Sequence, residues 1–354
     1  MNLDSGDQVL VTGATGFIGS ALTRNLVARG LEVVALVERA ADATNLQGLE
    51  VKQVVGDLRE PRSVQEAMSG CRAVFHAAAL YRFWAKDPSD FYAINVDGTK
   101  NVLSAAAEVG TERLVYTSTV GTLGLEHVSE MISADERAHP DIRHLYGSYK
   151  RSKYVAEHEV LRAAAEGLPV SLVLPTVPLG PGDRAPTPTG KIVLDFLNGR
   201  IPGYVDTTLN VVHVDDVAEG HVLALQKGRV GRSYILGGEN LSLQQVLGEL
   251  AGITGLPRAR WKVPRQVALA VASLSEAIEG RLLRRHPSIP LEAARMSTSV
   301  MAFDDRRARD ELGYSPRPAV EALEASARWF VEYGAVSPRR HARMSWSSRT
   351  SATT

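Results

Sequence analysis

Tyr149 and Lys153 stand four residues apart in a stretch patterned as a helix, so their side chains share a face. An ammonium beside a phenol favours the phenolate and draws the phenol's acidity toward neutral pH. A phenol so placed can give or take a proton at a reacting oxygen. Tyr146 and Lys150 repeat the spacing three residues earlier, and spacing alone does not choose between the pairs. A hydroxyl at a strand end can bond the same oxygen as charge develops on it. Thr119, closing Tyr116-Thr117-Ser118-Thr119, is the candidate. This set manages a proton; a hydride would be supplied or accepted by a bound redox cofactor, which the protein only positions.

The stretch from Val9 to Gly19 offers a seat for that partner. Val9 to Val11 read as a short buried strand, and Gly13, Gly16 and Gly19 follow at three-residue spacing. A helix then runs to about Arg29, with Ile18, Leu22 and Leu26 on one face and Gly30 as its stop. A strand, a glycine turn and a helix start let the backbone approach a pyrophosphate, with helix N–H groups aimed at it. Gly13, Thr15, Gly16, Phe17, Ile18 and Gly19 are expected to line that seat. The residue about 20 positions past such glycines meets the adenosine ribose; here it is Glu38, followed by Arg39. Asp57, Leu58, the small residues Ala77, Ala78 and Ala79, Thr117, Ser118 and Pro175 fall at later strand ends and are expected around the same ligand.

These residues need a scaffold that gathers strand ends. Apolar runs at 32–37, 51–55, 73–76, 113–116 and 170–174 alternate with helical stretches at 61–68, 88–109 and 149–165. Such alternation predicts an α/β fold, a Rossmann-type doubly wound parallel sheet over residues 1–175. Late strands at 210–214 and 233–236 are expected to rejoin it, completing the sheet by about 205–238. Residues 176–204, rich in Pro and Gly, and 239–334 predict a smaller, mostly helical C-terminal substrate lobe. Residues 337–354 read as a disordered tail.

Composition excludes several classes. With 354 residues, 23% charged and a net charge of zero, the chain shows no nucleic-acid footprint. Cys71 is the only cysteine, so no intramolecular disulfide forms, and a lone thiol fits a reducing, cytoplasmic setting. The chain start lacks a basic region followed by an apolar core, and Val267 to Leu274, the most apolar helical piece, is too short to span a membrane. His127, His144 and His213 lack ligand spacing, so no metal is expected, and His76 reads as packing beside the site.

The order Thr12-Gly13-x-x-Gly16-x-x-Gly19, Asp57-Leu58, Asn95-Val96-x-Gly98-Thr99, Tyr116 to Thr119 and Tyr149-x-x-x-Lys153-x-x-x-Glu157 resembles the extended short-chain dehydrogenase/reductase family, of the NAD-dependent epimerase/dehydratase type. Within it the chain is most similar to the hopanoid-associated sugar epimerase group, then to dihydroflavonol-reductase-like enzymes. Tyr81-Arg82-Phe83-Trp84-Ala85, Pro186 to Gly190, Leu209 to Asp216 and Ile235 to Asn240 carry the closer match. The resemblance implies catalytic roles for Thr119, Tyr149 and Lys153, because Ala156-Glu157 follow Lys153 as in the family. It leaves Tyr146 on the substrate side, with Asn210. Tyr81 and Trp84 either line the substrate pocket or cover the cofactor. Asn95 matches a family asparagine that braces the site by hydrogen bonds, and a structural role fits it equally; the resemblance also puts Asn95, Tyr149 and Lys153 among the residues around the cofactor.

Two departures from the family refine the expectation. Reductase-like members carry Arg where this chain has Glu38; a carboxylate there repels a 2′-phosphate and favours NAD, while Arg39 leaves NADP open. Dehydratases place Asp-Glu after the threonine, whereas Val120-Gly121 follow Thr119 here, so a dehydratase is not expected. The implied activity is hydride transfer at a secondary alcohol or ketone of a small molecule, as a sugar epimerase or, alternatively, a ketone reductase. A non-catalytic dinucleotide-sensing protein is the rival reading, and the presence of Tyr149 and Lys153 argues against it. Homodimers through the helices bearing Asn95 and Tyr149 are common in the family.

Overall fold

Val9, Leu10 and Val11 expose no surface on either side, which requires a strand covered on both faces by helices. The computed structural model describes residues 1–82, 84–124, 133–138, 140–201, 203–282, 285, 291–296 and 300–346. The chain runs β1 (Gln8–Thr12), α1 (Phe17–Ala28), β2 (Glu32–Val37), β3 (Val51–Val55), α2 (Pro61–Met68), β4 (Ala73–His76), α3 (Ser89–Tyr92), α4 (Gly98–Val109), β5 (Arg113–Thr117), α5 (Ser148–Ala165) and β6 (Val170–Pro175). It continues through β7 (Val177–Leu179), α6 (Gly190–Leu197), β8 (Gly203–Tyr204), β9 (Thr208–His213), α7 (Val214–Lys227), β10 (Ser233–Leu236), β11 (Glu239–Ser242), α8 (Leu243–Thr254), β12 (Trp261–Lys262), α9 (Arg265–Ser275), α10 (Leu291–Met296), β13 (Val300–Met301), α11 (Ala319–Glu332) and α12 (Pro338–His341).

Seven parallel strands form the main sheet in the order β10-β6-β5-β4-β1-β2-β3. The winding reverses between β1 and β4, and the loops leaving those strands part there, opening a crevice at the carboxyl edge. One apolar cluster lies on each side, the first centred on Leu10, Val74 and Leu114, the second on Val9, Val11 and Phe75.

One expected strand goes elsewhere. β10 rejoins the main sheet beside β6, but β9 does not. β6 has a single open edge and β10 takes it. β9 instead pairs with β7 and β13 in parallel and with β11 antiparallel, as the middle of a second sheet. The stretch at 88–109 is helical throughout but is broken by a π turn at Ala93–Asp97, which carries Asn95.

The expected disordered tail is ordered as far as Trp346. Val336 is buried, Arg340 donates from Nε to the Leu197 carbonyl that ends α6, and the Ser345 amide bonds the Thr254 carbonyl that ends α8. Capping of orphan helix carbonyls gives this basic segment its order. Residues 347–354 lie outside the described residues.

The turn after β1 depends on two close approaches. Gly13 adopts φ +71°, and a Cβ there would stand 2.7 Å from the Ala78 backbone. A Cβ on Gly19 would stand 2.0 Å from the Gly13 carbonyl oxygen. Backbone cannot yield as a flexible side chain can, so Gly19→Ala is expected to cost about 1–3 kcal/mol of stability. A denaturant midpoint equal to that of the parent would show that the turn is not packed this tightly.

Candidate active site

Helix α5 begins after Gly147, at φ +85°, and buries Tyr149, Ser152, Lys153, Ala156 and Val160 along one face. Lys153 is only 2% exposed. Its Nζ donates to Tyr116 Oη at 2.8 Å and to the Thr117 carbonyl at 2.7 Å. Burial pushes the ammonium down to about 7, partly opposed by the Glu157 carboxylate. By contrast, Tyr146 is 40% exposed. The Arg295 guanidinium lies 4.4 Å over its ring, and Lys150 is half-buried. The two overlapping Tyr-Lys pairs are thus in unlike surroundings, and the buried, anchored lysine is Lys153.

A chain of hydrogen bonds runs beneath this pair. His76 Nδ1 lies 2.7 Å from Thr12 Oγ1, and Nε2 lies 3.0 Å from Thr99 Oγ1. Thr99 donates its own proton to the Asn95 carbonyl at 2.7 Å. Nε2 is therefore the protonated nitrogen, assigned from this network, and Nδ1 accepts from Thr12. Burial, helped by the Lys153 charge, pushes His76 down to about 3, so the ring stays neutral. The chain ties the strand before the glycine turn to the π turn and α4. Asn95, 1% exposed, receives the Leu80 amide at 2.7 Å and donates to Ser152 at 2.9 Å. It braces the segment after β4 against α5 rather than facing the crevice.

The hydroxyl turn after β5 is set by Glu157. Ser118 donates to that carboxylate, and Thr122 Oγ1 lies 2.9 Å from it. Burial raises the Glu157 carboxyl, and these donors and Lys153 oppose the rise. A buried carboxylate needs donors, and Ser118, expected beside the cofactor, turns its O–H to supply one. Thr117 turns away as well, its Oγ1 lying 2.8 Å from His221 Nε2. Thr119 caps the following turn, accepting the Gly121 amide at 3.1 Å and keeping its own O–H proton out of that bond. A Cβ on Gly121 would lie 3.4 Å from Thr119 Oγ1 and 3.5 Å from Lys150 Cγ, so the Thr119 side chain stands at the first turn of α5.

Around the crevice, Gly16 is exposed, Gly13, Thr15, Phe17 and Ile18 are half-buried, and Gly19 is buried. No acidic residue occupies the first turn of α1. Ala77 and Ala78 are half-buried and Ala79 exposed beyond β4, while Pro175 is buried at the end of β6. Glu38 and Arg39 are exposed just past β2. Asp57 is paired with Arg59 at 2.5 Å, and Leu58 packs under Gly98. Tyr81 lies against Tyr149, ring centroids 4.7 Å apart, and Trp84 is half-buried nearby in sequence. Phe83 lies outside the described residues. Asn210 is not brought to the crevice. It is fully buried in β9, bonding the Gly238 amide at 2.8 Å and Asn240 at 2.7 Å.

Some partners carry no signal in sequence spacing. Tyr116 anchors Lys153 from a strand, and Asn45 Nδ2 joins the Thr15 carbonyl at 3.1 Å to the Gly182 carbonyl at 3.0 Å. Tyr116 sits inside the Tyr-Thr-Ser-Thr motif, the one hint available. Among the described residues no group of three His, Cys, Asp or Glu can hold a metal, and His127 lies outside them. Cys71 is buried and its thiol is pushed up to about 11, so it is inert packing.

A glycine turn at the switch point of a parallel sheet, an acid-free helix N-terminus and small residues opposite fit a dinucleotide and define a Rossmann-type dinucleotide enzyme. The NAD dependent epimerase/dehydratase family model matches residues 9–237, and the chain belongs to that family. It is therefore an NAD(P)-dependent enzyme of the extended short-chain dehydrogenase/reductase type. It is 42% identical to a putative dihydroflavonol 4-reductase of Synechocystis over 93% of this chain and 96% of that one. It is 34% identical to sterol demethylase protein B of Methylococcus capsulatus over 92% of this chain and 99% of that one. Among solved structures, gox2253 superposes with TM-score 0.83 at 42% identity, covering 94% of this chain and 100% of that one. A Thermus thermophilus UDP-glucose 4-epimerase in complex with NAD superposes at 0.70 and 25% identity, covering 92% and 99%. Among the described residues no helix is long and apolar enough to cross a membrane.

Proposed function

We propose that the enzyme moves hydride at a secondary alcohol or ketone of a small molecule, with Tyr149 as proton donor and acceptor. Bound nicotinamide supplies or takes the hydride. Gly13 to Gly19 hold the pyrophosphate and Glu38 the adenosine ribose. Tyr149 and Thr119 bond the substrate oxygen, and Lys153 holds positive charge behind the phenol. The carrying observation is the buried Lys153 anchored to Tyr116 and Thr117, one helical turn from Tyr149. A buried ammonium with a strongly lowered affinity for its proton, at a sheet's carboxyl edge, is the kind of group that functional sites collect.

In the sugar epimerase form, hydride leaves a ring carbon and returns to its opposite face with no net redox change. The family match supports this form. In the ketone reductase form, Tyr149 gives its proton to the carbonyl oxygen and the dinucleotide is consumed. The 42% identity to a protein named as a dihydroflavonol reductase favours that second reading. Incubation with NADH or NADPH and candidate carbonyl compounds separates them. Inversion of a sugar carbinol without net dinucleotide turnover supports the first, and steady oxidation of the dinucleotide supports the second. Neither change across a broad panel would overturn the hydride assignment.

The dinucleotide is proposed to be NAD. A carboxylate at Glu38 accepts bonds from a ribose 2′-hydroxyl and repels a phosphate there. NAD is expected to bind at least about tenfold tighter than NADP, a difference of about 1.4 kcal/mol. Calorimetric titration in which NADP binds tighter would assign the recognition to Arg39 instead.

A further inference from the structure

Helix α9 leaves an apolar stripe exposed. Its outward positions 267, 270, 271 and 274, continued by 277 and 278 in the π turn that follows, read Val, Ala, Val, Leu, Ala and Ile. Val267, Val271, Leu274 and Ile278 are 50%, 49%, 61% and 44% exposed. The inward side mixes the small or apolar Ala268, Leu269 and Ala272 with the half-buried Ser275, Glu276 and Glu279, while Gln266 and Ser273 flank the outward stripe. Ser275 donates to Glu279 at 2.8 Å, and Glu276 receives the Leu291 amide at 3.0 Å. A helix covering a protein core turns such a stripe inward.

The segment leading into α9 is basic around an aromatic residue. Arg258, Arg260, Lys262 and Arg265 are exposed, and Trp261 between them is 73% exposed. Lys262 also pairs with Asp206 at 2.5 Å. Trp261 is held in this position by pairing of β12 with β8, where a Cβ on Gly203 would meet the Trp261 carbonyl oxygen at 2.4 Å. The whole chain has no net charge, so this concentration of positive charge is local.

We propose that α9 and the Trp261 segment dock the enzyme on an anionic phospholipid bilayer. The apolar stripe lies in the boundary between headgroups and acyl chains, Trp261 sits at the headgroup level, and the arginines meet lipid phosphates. The helix is too short to span and lies along the surface. A second copy of the chain is the poorer occupant. Parallel two-fold packing through the stripe would bring the same basic residues near one another, and antiparallel packing would leave them uncovered at opposite ends, whereas an anionic surface complements stripe and basic segment together. The stripe also connects with the site. α9 packs on α10, and Arg295 of α10 covers Tyr146, three residues before Tyr149. The bilayer would thus lie one helix beyond the substrate side.

Sedimentation of the full chain with vesicles tests this. Vesicles of phosphatidylcholine with about 30% phosphatidylglycerol are expected to carry the protein down, and phosphatidylcholine alone or high salt to carry far less. Val271→Asp with Leu274→Asp is expected to weaken binding by at least about tenfold, with dinucleotide binding unchanged. A blue shift of tryptophan emission on adding vesicles is expected, and Trp261→Phe is expected to remove most of it. Failure to sediment with the anionic vesicles, or equal sedimentation of the double variant, would overturn the proposal. So would a double variant that is monomeric in lipid-free solution where the parent is dimeric, since a second copy would then be what covers the stripe.

Discussion

Tyr149→Phe is expected to lower kcat by about 10²–10⁴-fold while leaving dinucleotide affinity within a few-fold of the parent. The substitution removes one oxygen and keeps the ring that packs on Tyr81. Loss of turnover would therefore report on proton transfer and not on the shape of the pocket. Circular dichroism and a dinucleotide titration on the same sample exclude unfolding. Undiminished turnover would remove Tyr149 from the reaction and revive the reading of a dinucleotide-binding protein without chemistry.

Lys153→Met is expected to lower kcat by a similar factor, about 10²–10³-fold, and to leave a second signature in stability. Burial brings the Lys153 ammonium to about 7 in the folded chain, against 10.5 as its ordinary value. Across that window the unfolded chain binds the proton more tightly. Folding stability contributed by this group therefore rises with pH from about 7 to about 10.5, and below about 7 the contribution is flat. The methionine variant carries no such proton, so its melting temperature should lose that part of the rise. A variant with parental turnover, or with an unchanged pH slope, would show that Lys153 is not the buried ammonium described.

The glycine turn was legible in the sequence because two of its three glycines answer to separate backbone constraints, the positive φ of Gly13 and the contact of Gly19 with Gly13. The strand ends were legible because parallel strands buried on both faces are continuous apolar runs. Spacing did not separate Tyr149–Lys153 from Tyr146–Lys150, since both pairs obey the same helical period. Burial separates them, and burial depends on Tyr116, 37 residues away on another strand. The direction of the Ser118 hydroxyl is hidden for a related reason. Its partner Glu157 is visible four residues after Lys153, but a hydroxyl's direction follows from the nearest buried acceptor, which only the packing of α5 on β5 reveals. Asn210 belongs with these: placed on the substrate side by the resemblance, it is buried in β9, where it accepts the Gly238 amide. The path of β9 depended on which strand claimed the single open edge of the main sheet, a competition that local sequence does not encode.

The second sheet takes its strands from positions 177–179, 208–213, 239–242 and 300–301, and β10 of the first sheet falls among them in the chain. No one peptide break divides the molecule into two halves that each keep their own sheet. Unfolding should therefore be a single cooperative event, seen as one coincident transition by fluorescence and by circular dichroism. Renaturation must close several long loops before either layer is complete, which makes it slow and concentration-sensitive. The same interleaving means that neither sheet could be exchanged as one continuous stretch of chain.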